Sequence, residues 1–295
     1  MSNIPALDTG PNAMPALANQ LLIDAFDKRW KNYRSELKHC RAEFSNEAVH
    51  DVRIAARRLL SLIQLLNSIS PRPRLQKLSR AFKDQLDEFD DLRDTQVILA
   101  EFSETIQELP QLQKVQTYLQ AIEENLLRTL RKELKVIDLF DVSKRMRKTR
   151  EAIISETNED ITPQILQAVD DAYLLTKQRH GWINPSQPAT IHRVRIAFKS
   201  FRYMVEIIHP LLDGFPEANL KLMNDYQSLM GEIQDVEVIM QTLADFPSSA
   251  SSFDPKPVRS YYDRRHTEAT SAYIEKMDQL NDFWRAAPDQ PFPWE

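Results

Sequence analysis

Val49–Leu66, VHDVRIAARRLLSLIQLL, and Ile191–Ile208, IHRVRIAFKSFRYMVEII, decide how this chain is read. On a helix, at about 100° per residue, His50, Arg53 and Arg57 fall in one narrow sector. Ala55, Leu59, Leu62, Ile63 and Leu66 fall on the opposite side, where a core would lie. In the second stretch His192, Arg195 and Lys199 take the equivalent places, with Arg202 one turn further on. Val194, Ala197, Phe201, Val205 and Ile208 form its apolar back. Each helix thus carries a row of cations on a face opposite the one that anchors it.

The likeness between the two stretches extends beyond them. His50-x-x-Arg53-Ile54-Ala55 aligns with His192-x-x-Arg195-Ile196-Ala197 at an offset of 142 residues. Asp91–Leu99 (DLRDTQVIL) aligns with Glu232–Met240 (EIQDVEVIM) at an offset of 141. Arg80 aligns with Lys221, a secondary pair of candidate contacts. Two signatures in the same order and at nearly the same separation indicate a duplicated unit of four helices. Two four-helix bundles side by side are the simplest architecture for it.

Prolines punctuate the remainder, and the segments between them show i, i+3, i+4 apolar spacing without strict alternation, so the chain is all-α. The pattern predicts helices at about 16–44, 47–69, 73–108, 111–137, 141–156, 163–181, 189–209, 216–246 and 257–286. Residues 1–15 lack periodicity and read as a disordered lead. The first half is then 16–140, a helical linker 141–162, the second half 163–286, and a proline-rich tail 287–295.

Charged residues at 27% and hydrophobic ones at 42% suit a globular protein with a sizeable core. Four glycines, Gly10, Gly181, Gly214 and Gly231, exclude a glycine-rich phosphate loop. The single Cys40 excludes a disulfide framework and a cysteine zinc cluster, and it points to a reducing compartment. Neither a signal-peptide pattern nor an apolar run of about 18 residues occurs, so a cytoplasmic protein without a membrane partner is expected. The net charge of −5 advertises no anionic partner, but binding responds to local potential.

Charged helix faces usually point at water. Here, however, the charged positions match between the halves along with the apolar ones. Arg53 with Arg57, and Arg195 with Lys199 and Arg202, also repel along one face, with only Glu206 nearby to relieve the second row. Such a row makes sense beneath an anion. Arginine supplies a planar fork matched to phosphate oxygens, lysine a mobile point charge. His50 and His192 can donate hydrogen bonds, and no second ligand stands at metal-binding spacing from either. Nucleic acid is the weaker candidate for the same cations, because only Tyr203 lies among them as a stacking platform.

An enzymatic reading competes. Asp90-Asp91-Leu92-Arg93-Asp94 spells DDxxD, and Asn224, Asp225, Ser228 and Glu232 fit (N/D)Dxx(S/T)xxxE. On an all-α chain that pair resembles the Mg²⁺–diphosphate motifs of class I terpene synthases. Both motifs fall inside the repeat, which already accounts for carboxylates recurring there. The structural alternative is that Asp94 and Asp235 hold arginines of the cation rows. Gly231, mid-helix at a cost of about 1 kcal/mol, would admit close helix approach. Lys144–Arg150 (KRMRKTR) reads as a solvated linker helix or a supplementary polyanion contact.

The doubled H-x-x-R-x-x-x-(R/K), each followed by a helix ending (R/Q)-D-x-x-V, resembles the CHAD family, the α-helical domain named for its histidines, over about residues 16–285. The resemblance implies two four-helix bundles related by a pseudo-two-fold, with a basic groove or pore between them. It further implies binding of inorganic polyphosphate and association with polyphosphate granules, with no catalysis, cofactor or metal. By position the implied contacts are His50, Arg53, Arg57 and Arg58 in the first half, and His192, Arg195, Lys199 and Arg202 in the second. Two positions depart from the family pattern: Leu60 and Ser200 stand where family members carry basic residues.

Overall fold

The computed structural model describes residues 13–136, 139–155, 160–247 and 254–295. The helices in order are α1 Ala13–Glu43, α2 Asn46–Ile69, α3 Pro73–Glu88, α4 Asp90–Thr105 and α5 Leu112–Val136. They continue as α6 Phe140–Ser155, α7 Thr162–His180, α8 Pro188–Ile208, α9 Glu217–Asp245 and α10 Pro255–Lys276. Among the described residues there is no strand, and no helix is long and apolar enough to cross a membrane.

The boundaries follow local chemistry. Ser45 caps α2 by accepting from the Ala48 amide at 3.2 Å, and Asp254 caps α10 by accepting from Lys256 at 3.1 Å. Prolines occupy the first turn of α3, α7, α8 and α10, where no amide hydrogen is needed. Phe44, at φ 54, takes the left-handed conformation that reverses α1 into α2 within two residues. Its ring is buried beneath the Arg131 guanidinium, 5.0 Å away.

Three sequence expectations are corrected. The helix predicted over 73–108 is two helices, broken at Phe89, whose amide bonds the Leu86 and Asp87 carbonyls in a tight turn. The ring is 1% exposed, so burial holds the bend without a proline or glycine to announce it. The helix predicted over 257–286 ends at Lys276, and Met277–Asp282 continues as a 3₁₀ turn. Residues 13–15, expected in the lead, belong to α1, while 1–12 lie outside the described residues.

In each half neighbouring helices pair in the same order: α1 on α2, α2 on α3 and α4 on α5, then α7 on α8, α8 on α9 and α9 on α10. Across the halves α2 packs on α7 and α8, and α4 on α9. The apolar interior does not divide between them. One cluster joins Leu59, Leu62 and Ile63 of α2 to Phe198, Phe201 and Val205 of α8. A second joins Ile98, Phe102 and Val115 to Val236, Ile239 and Tyr262. The linker helix α6 lies on α1 and α3, and Arg150 grips Asp27 there through two nitrogens at 2.7 Å each. One cation of the Lys144–Arg150 cluster thus docks the linker.

Residues 287–295 fold back onto the second half. Phe292 and Trp294 stack at 4.7 Å, Phe292 meets Trp284 edge-on, and the Trp294 indole donates to the Asp213 carbonyl at 3.1 Å. Beneath them Asp170, 8% exposed, accepts from Trp284 Nε1 at 2.7 Å and from Arg285 Nη2 at 2.6 Å. Removing that carboxylate strands a mostly buried guanidinium and an indole N–H. Asp170→Ala is therefore expected to lower unfolding free energy by about 3 kcal/mol, read as a fall in the urea midpoint at unchanged m-value.

Candidate functional site

A cavity of about 540 Å³ is bounded by α2, α4, α8 and α9. All eight cation-row residues line it: His50, Arg53, Arg57 and Arg58 from α2, and His192, Arg195, Lys199 and Arg202 from α8. The apolar backs of the same helices place them there. Ala55, Leu59, Leu62, Ile63 and Leu66, with Val194, Ala197, Phe201, Val205 and Ile208, are all buried on the other side. The secondary pair is elsewhere: Arg80 lines a separate hollow with Gln64 and Lys83, and Lys221 is an exposed residue of α9. Leu60 packs against the core.

Arg93 joins the eight, giving seven arginines and lysines around the cavity against Asp90, Asp94 and Asp235. Arg93 opens the R-D-x-x-V signature and aligns with Gln234, which lines the same cavity, so the motif itself carried the signal. Asn224, Tyr203 and Gln227 also line it; the sequence marked the first for a metal motif and the second as an aromatic among the cations, and gave Gln227 no mark.

The two rows are compensated differently. Arg53, 3% exposed, donates to Asp90 Oδ1 at 2.6 Å and to the Leu86 carbonyl at 3.3 Å, while Arg57 lies 3.7 Å from the same carboxylate. The expected partner for the arginines was Asp94; the break at Phe89 instead puts Asp90 at the start of α4, directly against α2. In the second half the residue aligned with Asp90 is Gly231, and the Arg195 guanidinium lies over it. A Cβ there would meet Arg195 Nε at 3.7 Å, ordinary contact, so this glycine admits a side chain and not a neighbouring helix. Arg195 has no carboxylate within ion-pair distance among the described residues, and its buried Nε has no hydrogen-bond partner. Arg202 donates to Glu206 at 2.9 Å and to Gln227 at 3.1 Å, and lies 4.6 Å from the Tyr203 ring centre. Arg58 reaches the same Glu206 from the first half at 3.6 Å, so one carboxylate ties the two rows together.

Crowding shows in the ionisation. Burial, followed by Arg57, Arg195, Arg202 and Arg53, pushes the Lys199 ammonium down from 10.5 to about 7. Burial and then Arg93 lower the His50 pKa; burial and then Arg195 lower that of His192, against a hydrogen bond with Gln234. Both imidazoles are therefore neutral at neutral pH. Asp94 and Asp235 are raised, chiefly by burial, so these two carboxylates are held at a disadvantage as anions.

The terpene-type residues do not form one metal-binding set. Asp90 and Asp94 line this cavity with Asn224, whereas Ser228 and Glu232 line a second one; Asp91 is exposed. Asp90 is paired with Arg53, and Glu232 lies 3.8 Å from Arg265. Among the described residues no three His, Cys, Asp or Glu side chains gather as a metal ion requires.

The CHAD domain profile matches residues 24–244. The chain belongs to the CHAD family. A crystal structure of the CHAD domain from the plant Ricinus communis superposes with a TM-score of 0.63 at 16% identity, covering 90% of this chain and 89% of that one. At that identity the likeness is one of fold. No curated protein matches the chain in sequence. Within this CHAD domain the two H-x-x-R signatures supply both long walls of the cavity, and the two (R/Q)-D-x-x-V signatures supply Arg93, Asp94, Gln234 and Asp235 between them.

Lys199 gives a stability prediction. Between pH 7 and 10.5 the folded lysine has lost the proton that the unfolded chain still binds. Stability therefore rises with pH across that window as far as this residue governs it. Lys199→Met should stabilise the fold at pH 6 and flatten the rise, as read from urea midpoints between pH 6 and 10.

Proposed function

We propose that this CHAD chain binds inorganic polyphosphate in the cavity between α2 and α8, without turning it over, and that this binding takes it to polyphosphate granules. One observation carries the reading: seven arginines and lysines from both halves line a single cavity with three aspartates. Such a charge excess in a recessed, partly desolvated space raises the local concentration of anions. Guanidinium forks match phosphate oxygens in pairs, and a polymer with one charge per phosphate engages several cations at once. Two neutral imidazoles add hydrogen-bond donors beside Arg53 and Arg195 and become better donors if bound phosphate raises their pKa. Nucleic acid fits less well, since the one aromatic in the cavity, Tyr203, is 8% exposed and already carries Arg202.

Arg53 is bonded into the fold through Asp90 and Leu86, so it positions as well as attracts. The informative variant therefore replaces Arg57, Arg195 and Lys199 together by Gln. Helicity should be unchanged and long-chain polyphosphate affinity should fall at least 100-fold. The slope of log K against log salt should become shallower by about 2–3, one part per lost contact. A fluorescently tagged triple variant should leave polyphosphate granules. Wild-type affinity with an unaltered salt slope would refute the reading, as would tighter binding of single-stranded RNA at equal charge concentration.

Binding should also take up a proton. Lys199 is half deprotonated near pH 7 when the cavity is empty, and a phosphate beside it favours the charged form. Affinity is therefore expected to fall as pH rises from 7 to 9. Calorimetry at pH 8 in buffers of different ionisation enthalpy should register net proton uptake that Lys199→Gln abolishes.

A further inference from the structure

Apolar surface is left over on the outer side of α7. Nine large apolar side chains stand exposed among the described residues, and four of them gather here. Leu174 is 53% exposed, Leu175 44%, Trp182 just beyond the helix 74%, and Ile196 on α8 51%. The Arg179 guanidinium crosses to the Arg193 carbonyl at 2.9 Å, so α8 runs back along α7 with Ile196 beside Leu175, one turn from that bond. Scattered apolar residues on a surface are ordinary, but a cluster marks a contact, and tryptophan and arginine are the residue types that anchor one.

The charges around the cluster say what the contact fits. Asp171, Leu175 and Arg179 stand at i, i+4 and i+8 and form one oblique ridge on α7. Leu174 and Gln178, continued by Trp182, form the ridge beside it. Asp171 accepts only from Gln167 Nε2, at 2.8 Å, and Arg179 meets only a carbonyl, so neither charge is answered among the described residues. Eight residues hold them about 12 Å apart, too far to pair within their own helix. A ridge with opposite charges at its ends and leucine at its midpoint is complementary to itself under a two-fold rotation. We propose that the partner of this face is a second copy of the chain. Two α7 helices pack antiparallel, crossing at about −50°, so that the Asp171–Leu175–Arg179 ridge of each lies in the groove between the two ridges of the other. Leu175 then meets its own counterpart at the axis, and each Asp171 meets the opposite Arg179. Four apolar side chains per copy make a modest interface, which sets the dimer in the micromolar range.

Sedimentation velocity of the full chain from about 1 to 200 μM should show monomer passing into dimer, with a dissociation constant of about 10–100 μM. Asp171→Arg alone, or Arg179→Asp alone, sets like charges opposite each other across the axis, and each should weaken association about tenfold or more. The two substitutions together exchange the charges and should return the dissociation constant to within about threefold of wild type. A role of either side chain inside its own fold would not be rescued that way. Leu175→Cys, at the axis, should cross-link to its counterpart under mild oxidation, whereas Leu222→Cys on α9, equally exposed, should not; the native Cys40 is buried and does not compete. A chain still monomeric at 200 μM would overturn the proposal. So would a dimer indifferent to the single reversals, a double variant that stays weak, or a Leu175→Cys chain that cross-links no faster than Leu222→Cys. None of these results turns on what fills the cavity.

Discussion

Like charges resist being brought together out of water, and the architecture of this chain is shaped by how it tolerates doing so. Seven cations surround one recess, and the lysine among them is pushed to about pH 7 by burial and its neighbours. Carbon on the opposite faces holds them there: α2 and α8 bury their apolar backs in one continuous core, and the cationic faces follow by helical geometry. Apolar burial at about 25 cal/mol per Å² across two helices of 24 and 21 residues is ample to offset several partly solvated repulsions.

Compensation is partial and uneven, and the unevenness is informative. Asp90 answers Arg53, and Glu206 answers Arg58 and Arg202 together. Nothing of the kind answers Arg195 or Lys199 among the described residues, because Gly231 stands where a second Asp90 would be. The departures from the family pattern fit the same picture. Ser200 lacks the partner of Arg58, and Leu60 lacks the partner of Arg202; the two surviving arginines converge on one glutamate that the first half, with Gln64, does not repeat.

Much of this was legible beforehand because it rests on period. The cation rows, their apolar backs and the all-α class follow from spacing along a helix, while Arg58 came in only through the family resemblance; all eight residues line the cavity. What escaped depends on tertiary context. The bend at Phe89 is held by a buried ring and has no proline or glycine, so the proper partner of Arg53 could not be chosen between Asp90 and Asp94 from spacing alone. Arg80 and Lys221 aligned in the repeat but face away, since alignment fixes correspondence and not direction. Arg93 was visible in its motif and needed only the α4–α9 contact to join the cavity lining. Phe292 and Trp294 looked like part of a tail because proline spacing hides their packing on Trp284.

The undivided interior has a mechanical corollary. Side chains of both halves interlock at two separate places, above and beyond the recess, and close-packed hydrocarbon yields little to shear. The halves are thus riveted twice, and packing on the apolar backs fixes the spacing of the helices that carry the arginine rows. A linear polyanion of the kind proposed would then be sorted by girth against a frame built at folding, before any guest arrives.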